Sequence, residues 1–156
     1  MALKLLAVRP RTRAELGSSL RKHGIAGDVV DEVLDRYDEV GIIDDVAFAK
    51  AWVTSRHHGR GLARRALAGE LRRKGVDDGT TREVLDELDP AEEEAAAREL
   101  VRRKLRSLRR VDDQTATRRL VGMLARKGYP SGMAFSVVRE ELAAAGREEP
   151  EEPHSI

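Results

Sequence analysis

Cysteine is absent from this 156-residue chain, and aromatic residues make up only 3% of it: one Trp, two Tyr and two Phe. The first absence excludes a disulfide framework and thiolate metal sites, and fits a reducing compartment. The second argues against the large aromatic core of a sandwich or barrel. No apolar run approaches the roughly 18 residues needed to span a bilayer, and the opening Met1-Ala2-Leu3-Lys4-Leu5-Leu6 is too short for a secretory signal. A soluble, cytoplasmic protein with no membrane partner is expected. β-Branched runs bounded by turn residues are also scarce. Ala, Leu, Arg and Glu dominate instead, residues that lose little side-chain freedom in a helix, so the fold class expected is all-α.

Aligning the chain on itself exposes a repeat. Leu16-x-x-x-Leu20-x-x-His23-Gly24-Ile25 returns as Leu67-x-x-x-Leu71-x-x-Lys74-Gly75-Val76 and again as Leu120-x-x-x-Leu124-x-x-Lys127-Gly128-Tyr129. The same two register shifts carry Val33-Leu34 onto Val84-Leu85 and onto Val137-Val138. The apolar spacing makes each block a helix that ends at the glycine, where a left-handed residue closes it and the next apolar side chain folds back. Thr12-x-x-Glu15 reads as a capping box for the first copy. The helix after each glycine has Asp28, Asp78 or Ser131 as its candidate cap. A third helix precedes each block, with apolar sets Ala2-Leu5-Leu6, Phe48-Ala51-Trp52 and Ala97-Leu100-Val101 at i, i+3, i+4 spacing. Nine helices follow, as three tandem three-helix repeats over 2–41, 44–88 and 91–144, stacked as a short curved solenoid because one such unit buries too little apolar area alone. The acidic, Pro-containing segment 145–156 is expected to be disordered.

The net charge of +1 conceals a sorting of charge along the chain. Met1 to Lys22 holds six bases and one acid; Asp28 to Asp45 holds eight acids and one base. The alternation recurs, with seven bases and one acid from Arg56 to Lys74, then nine acids and one base from Asp77 to Glu94. Two readings stand. Basic helices lying side by side would make a stripe that attracts phosphates or an acidic protein surface. Basic and acidic helices would otherwise neutralise each other. The clusters Arg64-Arg65, Arg72-Arg73-Lys74 and Arg102-Arg103-Lys104 place bases on more than one helix face, which favours a binding surface.

No chemistry-bearing constellation emerges. Asp44-Asp45 before Phe48 reads as a helix cap with favourable dipole charge. His57 and His58 diverge by about 100° on a helix and do not share a metal. Gly59-Arg60-Gly61 lacks the spacing of a phosphate loop and reads as a hinge between repeats. Phe48 and Trp52 sit among alanines and read as core packing, as does Tyr129. No Ser-His-acid order, thiol nucleophile or catalytic carboxylate pair is visible, so catalytic and metal residues are both set at none, no cofactor is expected, and the chain is not read as an enzyme.

Three blocks taken together resemble a known family: Arg11-Thr12-Arg13-Ala14-Glu15-Leu16 leading to His23-Gly24; Gly41-Ile42-Ile43-Asp44-Asp45 followed by Phe48-Ala49; and Glu70-Leu71-x-x-Lys74-Gly75-Val76. Their order and spacing are similar to RecX, the family of bacterial regulators of the RecA recombinase, over nearly the whole chain. The resemblance implies a curved all-helical monomer that lies in the groove of the RecA filament on DNA. There it would interfere with strand exchange, ATP hydrolysis and repressor cleavage, with some affinity for DNA itself. The contact surface expected is Arg60, Arg64, Arg65, Arg72, Arg73, Lys74, Arg102, Arg103, Arg106, Arg118, Arg119, Arg126 and Lys127. The alternative is a DNA-binding protein built on helix-turn-helix units, against which the acidic second helix of the first two repeats argues.

Overall fold

The computed structural model describes residues 1–147. Among them are nine α-helices and no strand, in the order α1 (Ala2–Val8), α2 (Arg13–Lys22), α3 (Gly27–Glu39), α4 (Asp45–Arg60), α5 (Arg64–Arg73), α6 (Asp78–Asp86), α7 (Pro90–Leu105), α8 (Asp113–Arg126) and α9 (Ser131–Ala144). Helices α2, α5 and α8 end alike. Gly24, Gly75 and Gly128 take φ of +83, +83 and +94°. The amides of Ile25, Val76 and Tyr129 then reach back to the carbonyls of Leu20, Leu71 and Leu124 at 3.2, 3.0 and 3.1 Å. Three orphan carbonyls are thus satisfied by one sequence rule.

The starts are less uniform. At α2 the capping box forms in full, with the Glu15 amide on the Thr12 hydroxyl at 3.1 Å and the Thr12 amide on the Glu15 carboxylate at 3.2 Å. The caps expected for α3, α6 and α9 are displaced. The N-cap positions are Ala26, Asp77 and Pro130, two residues past each glycine, and Asp28, Asp78 and Ser131 lie inside the first turn. The glycine closure fixes where the next helix can begin, and that geometry outranks the preference of polar side chains. Only Asp77 of the three caps with its side chain, accepting from the Thr80 amide at 2.8 Å.

The buried face of α4 also differs from expectation. Ala49, Val53 and His57 are buried, whereas Ala51 is exposed and the stacked pair Phe48–Trp52 is only partly covered. Both stripes have helical spacing. The indole N–H needs a polar partner, which it finds in Glu70 at 3.0 Å, so the larger rings flank the core and small Ala49 takes the close approach. In α7 the buried stripe is Glu93, Ala97 and Val101.

The chain divides into two units, Met1–Ser55 with Ala68–Glu87, and Arg56–Leu67 with the chain from Leu88 onward. The first has a core of Ala2, Leu16, Leu20, Val30, Leu34 and Ile43. Within it the start of α2 abuts the end of α5. The buried Thr12 hydroxyl donates to the Lys74 carbonyl at 2.6 Å, and a Cβ on Gly75 would fall on the Ala14 methyl.

The second unit packs α7, α8 and α9 around Ala97, Val101, Leu120, Leu124, Val137 and Leu142. Its own version of that joint brings the start of α5 to the end of α8. The Ala63 amide donates to the Lys127 carbonyl at 2.8 Å, and a Cβ on Gly128 would strike the Ala66 amide nitrogen. Gly59-Arg60-Gly61, expected as a hinge, is fixed here. Gly59 and Arg60 are helical, Gly61 closes α4 at φ +67°, and the buried Tyr129 hydroxyl donates to the Gly61 carbonyl at 2.8 Å. Of the expected tail 145–156, Ala145 caps α9, and Arg147 is held by Asp113 at 2.5 Å and the carbonyls of Leu108 and Val111. Residues 148–156 lie outside the described residues.

Candidate partner-binding surface

Which basic side chains are available depends on which are already engaged. In the first unit Arg13 pairs with Asp35 at 2.6 Å and with Asp38, hydrogen bonds that raise its pKa further, and Arg21 reaches Asp31 at 3.3 Å. The acidic face of α3 is therefore used, in part, to neutralise α2. Lys74 is engaged as well: its ammonium lies 3.2 Å from Glu15 and 5.0 Å from the centre of the Trp52 ring, joining the start of α2 and the end of α5 to the indole. Arg72 reaches Asp78 only at 3.5 Å with both side chains largely exposed, a weak surface pair. Arg73 is exposed and has no carboxylate partner among the described residues.

In the second unit Arg64 is structural. It donates to the buried Glu93 at 2.8 Å and to the Leu88 carbonyl, bridging the starts of α5 and α7. Glu93 in turn helps to hold the Tyr129 hydroxyl protonated. Burial first, and then the field of that carboxylate, push its pKa up to about 12. Arg98 pairs with Glu94, Glu140 and Glu141. Arg102 binds Glu141 through two nitrogens, at 2.9 and 3.1 Å. The Arg102 bonds lead in pulling the Glu141 pKa below the usual carboxylate range, so this buried acid stays ionised. Arg103 meets Glu99 at 3.4 Å on one exposed helix face. Arg60, Arg65, Arg106, Arg118, Arg119 and Arg126 are exposed; Arg118 lies in the field of the Asp112 carboxylate, and the other five have no carboxylate partner among the described residues.

Two concave regions of the second unit gather bases. One, about 770 Å³, brings Arg60, Arg103 and Lys127 together with His57 and His58, though Glu92 and Glu99 share it. There Lys127 donates to the Arg60 carbonyl at 2.8 Å and His57 Nδ1 lies 2.8 Å from the Leu62 carbonyl. The other, about 650 Å³, brings Arg102 and Arg106 together with Arg109 and Arg147, neither of which the sequence reading singled out. Arg65, Arg118, Arg119 and Arg126 line neither region. Among the described residues no cluster of three or more His, Cys, Asp or Glu could hold a metal ion, and no helix is long and apolar enough to cross a membrane.

Three family descriptions match the chain in order: the first three-helix domain of RecX over residues 1–36, the second over 44–85 and the third over 92–138. This chain belongs to the RecX family. Its relatives are named as regulatory proteins. Regulatory protein RecX of Thermobifida fusca is 57% identical over 148 residues, covering 95% of this chain and 80% of that one. The Streptomyces coelicolor protein of the same name is 54% identical, covering 95% and 79%. The crystal structure of RecX from Lactobacillus salivarius superposes with a TM-score of 0.84 at 19% identity, covering 90% of this chain and 91% of that one, a likeness of fold. A regulatory role is what RecX membership carries.

Proposed function

We propose that the protein binds the RecA filament on DNA in its groove, as a monomer without catalytic chemistry, and inhibits recombinase, ATPase and coprotease activity. The observation that carries this reading is similarity to regulatory RecX proteins over 95% of the chain. The accessible arginines support it. Arg65, Arg72, Arg73, Arg106, Arg118, Arg119 and Arg126 are the members of the expected surface least committed to the fold, while Arg64 and Lys74 shape the joints that present them. The mechanism is occupation: a helical protein held by charge-assisted contacts blocks the groove that a second DNA strand would enter.

Cosedimentation with preformed RecA–DNA filaments tests the partner directly. Arg72→Glu with Arg73→Glu should weaken both pelleting and inhibition of RecA ATPase by at least tenfold at unchanged helicity. Failure of the unmodified protein to pellet would overturn the assignment. A helix-turn-helix reading draws support from the third repeat alone, where α9 opens with Ser131 and Gly132, has no acid in its first turn and exposes Phe135. Sequence-selective DNA binding at about 0.15 M salt, without RecA, would favour it.

A further inference from the structure

The cleft at the ends of α7 and α9 is assembled from donors whose acceptors are already used up. Among the described residues its charged lining is Arg102, Arg106, Arg109 and Arg147 with one acid, Glu141. That acid is buried and already engaged, taking two bonds from Arg102 and one from Arg98. Arg147 is turned to Asp113 and two carbonyls. Arg106 and Arg109 remain exposed, without a carboxylate partner among the described residues. A ligand for this place must therefore bring its own acceptors and negative charge. Every cation in the lining is an arginine, whose planar fork matches two phosphate oxygens where a lysine would offer a point charge. Leu105, Ala144 and Ala145 supply the apolar part, and among the described residues no aromatic ring lines the cleft on which a base could stack. The selection is thus for a backbone and against a base.

We propose that this cleft binds the phosphodiester backbone of a nucleic acid, with Arg106 and Arg109 as the direct contacts and Arg102 held in place for a third by Glu141. This rests on the reading that nucleic acid is part of the target, and names the part of the protein that meets it. Binding is independent of sequence and falls steeply with salt, because it consists of phosphate neutralisation and counterion release. The paired arginines elsewhere, Arg13, Arg64 and Arg98, contribute little, since their carboxylates already screen them.

The test is fluorescence anisotropy of a labelled single-stranded oligo(dT) with the full chain, across a potassium chloride series and without any recombinase. Arg106→Glu/Arg109→Glu is compared with Arg36→Glu/Arg82→Glu, an equal charge change at exposed positions of α3 and α6 outside the cleft. Both pairs are exposed, so thermal unfolding followed by circular dichroism should be alike in all three proteins. The cleft variant should bind at least tenfold more weakly. Its plot of log affinity against log salt should flatten by about 1.4, two contacts at about 0.7 each. The Arg36→Glu/Arg82→Glu variant should stay within about threefold of the parent. Equal losses in the two variants would mean diffuse attraction and would overturn the proposal. So would absence of binding by the parent, or competition by poly-glutamate as strong as by unlabelled oligo(dT), which would assign the cleft to an acidic protein surface. Because no filament is present, a protein that binds oligo(dT) through the cleft yet fails to pellet with filaments would refute the regulatory target and leave this site standing.

Discussion

The joint between the starts and ends of repeated helices occurs once in each unit, and the two versions are built from different atoms. In the first, the Thr12 side chain donates to the Lys74 carbonyl and the Gly75 surface meets a methyl, that of Ala14. In the second, the Ala63 backbone amide donates to the Lys127 carbonyl and the Gly128 surface meets backbone, the Ala66 amide nitrogen and, at 3.1 Å, the Ala63 carbonyl oxygen. Gly24, the third member of the set, has the same left-handed backbone but nothing within 4 Å of an added Cβ. One sequence motif therefore does two jobs. It closes a helix in all three repeats, and in two of them it also leaves room for a neighbouring helix start. The lesson is that the same glycine has a different cost of replacement depending on what faces it.

Gly128→Ala should be the most damaging change, since the clash is with backbone that cannot retreat. We expect a loss of about 2–5 kcal/mol, the left-handed conformation and overpacking together, read by urea denaturation. Gly75→Ala should lose somewhat less, and adding Ala14→Gly should recover the packing part, leaving a favourable coupling in the double-mutant cycle. Gly24→Ala should cost only the conformational term, about 1–2 kcal/mol. Equal losses at all three glycines would erase the distinction. Thr12→Val should cost about 1–3 kcal/mol, because it strands the Lys74 carbonyl and removes an N-cap at once. Tyr129→Phe, which removes the bond to the Gly61 carbonyl from the other joint, should cost about 1 kcal/mol.

Acidification should separate the units more gently. Asp112 and Glu141, both in the second unit, have lowered pKa values, the first from the Thr115 hydrogen bonds and the second from Arg102. A carboxylate of that kind adds stability above its unfolded pKa and loses it as the pH falls through the folded value. In the first unit Asp77 behaves likewise, through Thr80, but Asp45 is raised by burial, so its protonation favours the folded state. Between about pH 5 and 3, protection against amide hydrogen exchange, relative to the unfolded chain at the same pH, should therefore fall faster at Leu120 and Val137 than at Leu20 and Leu34. The reverse order would contradict this balance of charges.

Helix type, the repeated glycines and the capping box at Thr12 were legible in the sequence because each depends on neighbours within one or two turns. The buried stripe of α4 was not. Phe48-Ala51-Trp52 and Ala49-Val53-His57 have equally helical spacing, and the choice between them is made by what packs from elsewhere. The same holds for charge. Arg64 and Arg65 are adjacent and chemically identical, yet only Arg64 lies against buried Glu93. A signal was present, since Glu93 occupies the same stripe as Ala97 and Val101, and an acid at such a position demands a cation. Arg109 and Arg147 were missed because one lies beyond the end of α7 and the other in a segment read as tail.

The division of the chain has a consequence for its synthesis. Each unit is made of two stretches that do not follow one another, so neither is finished when its first stretch leaves the ribosome. The Thr12 hydroxyl waits 62 residues for the Lys74 carbonyl, and the Gly61 carbonyl waits 68 for the Tyr129 hydroxyl. Closing such separations slows folding at little expense to the final stability. A chain arrested after Gly41 would lack the partners of both joints, whereas one arrested after Leu88 would hold those of the first joint and lack those of the second.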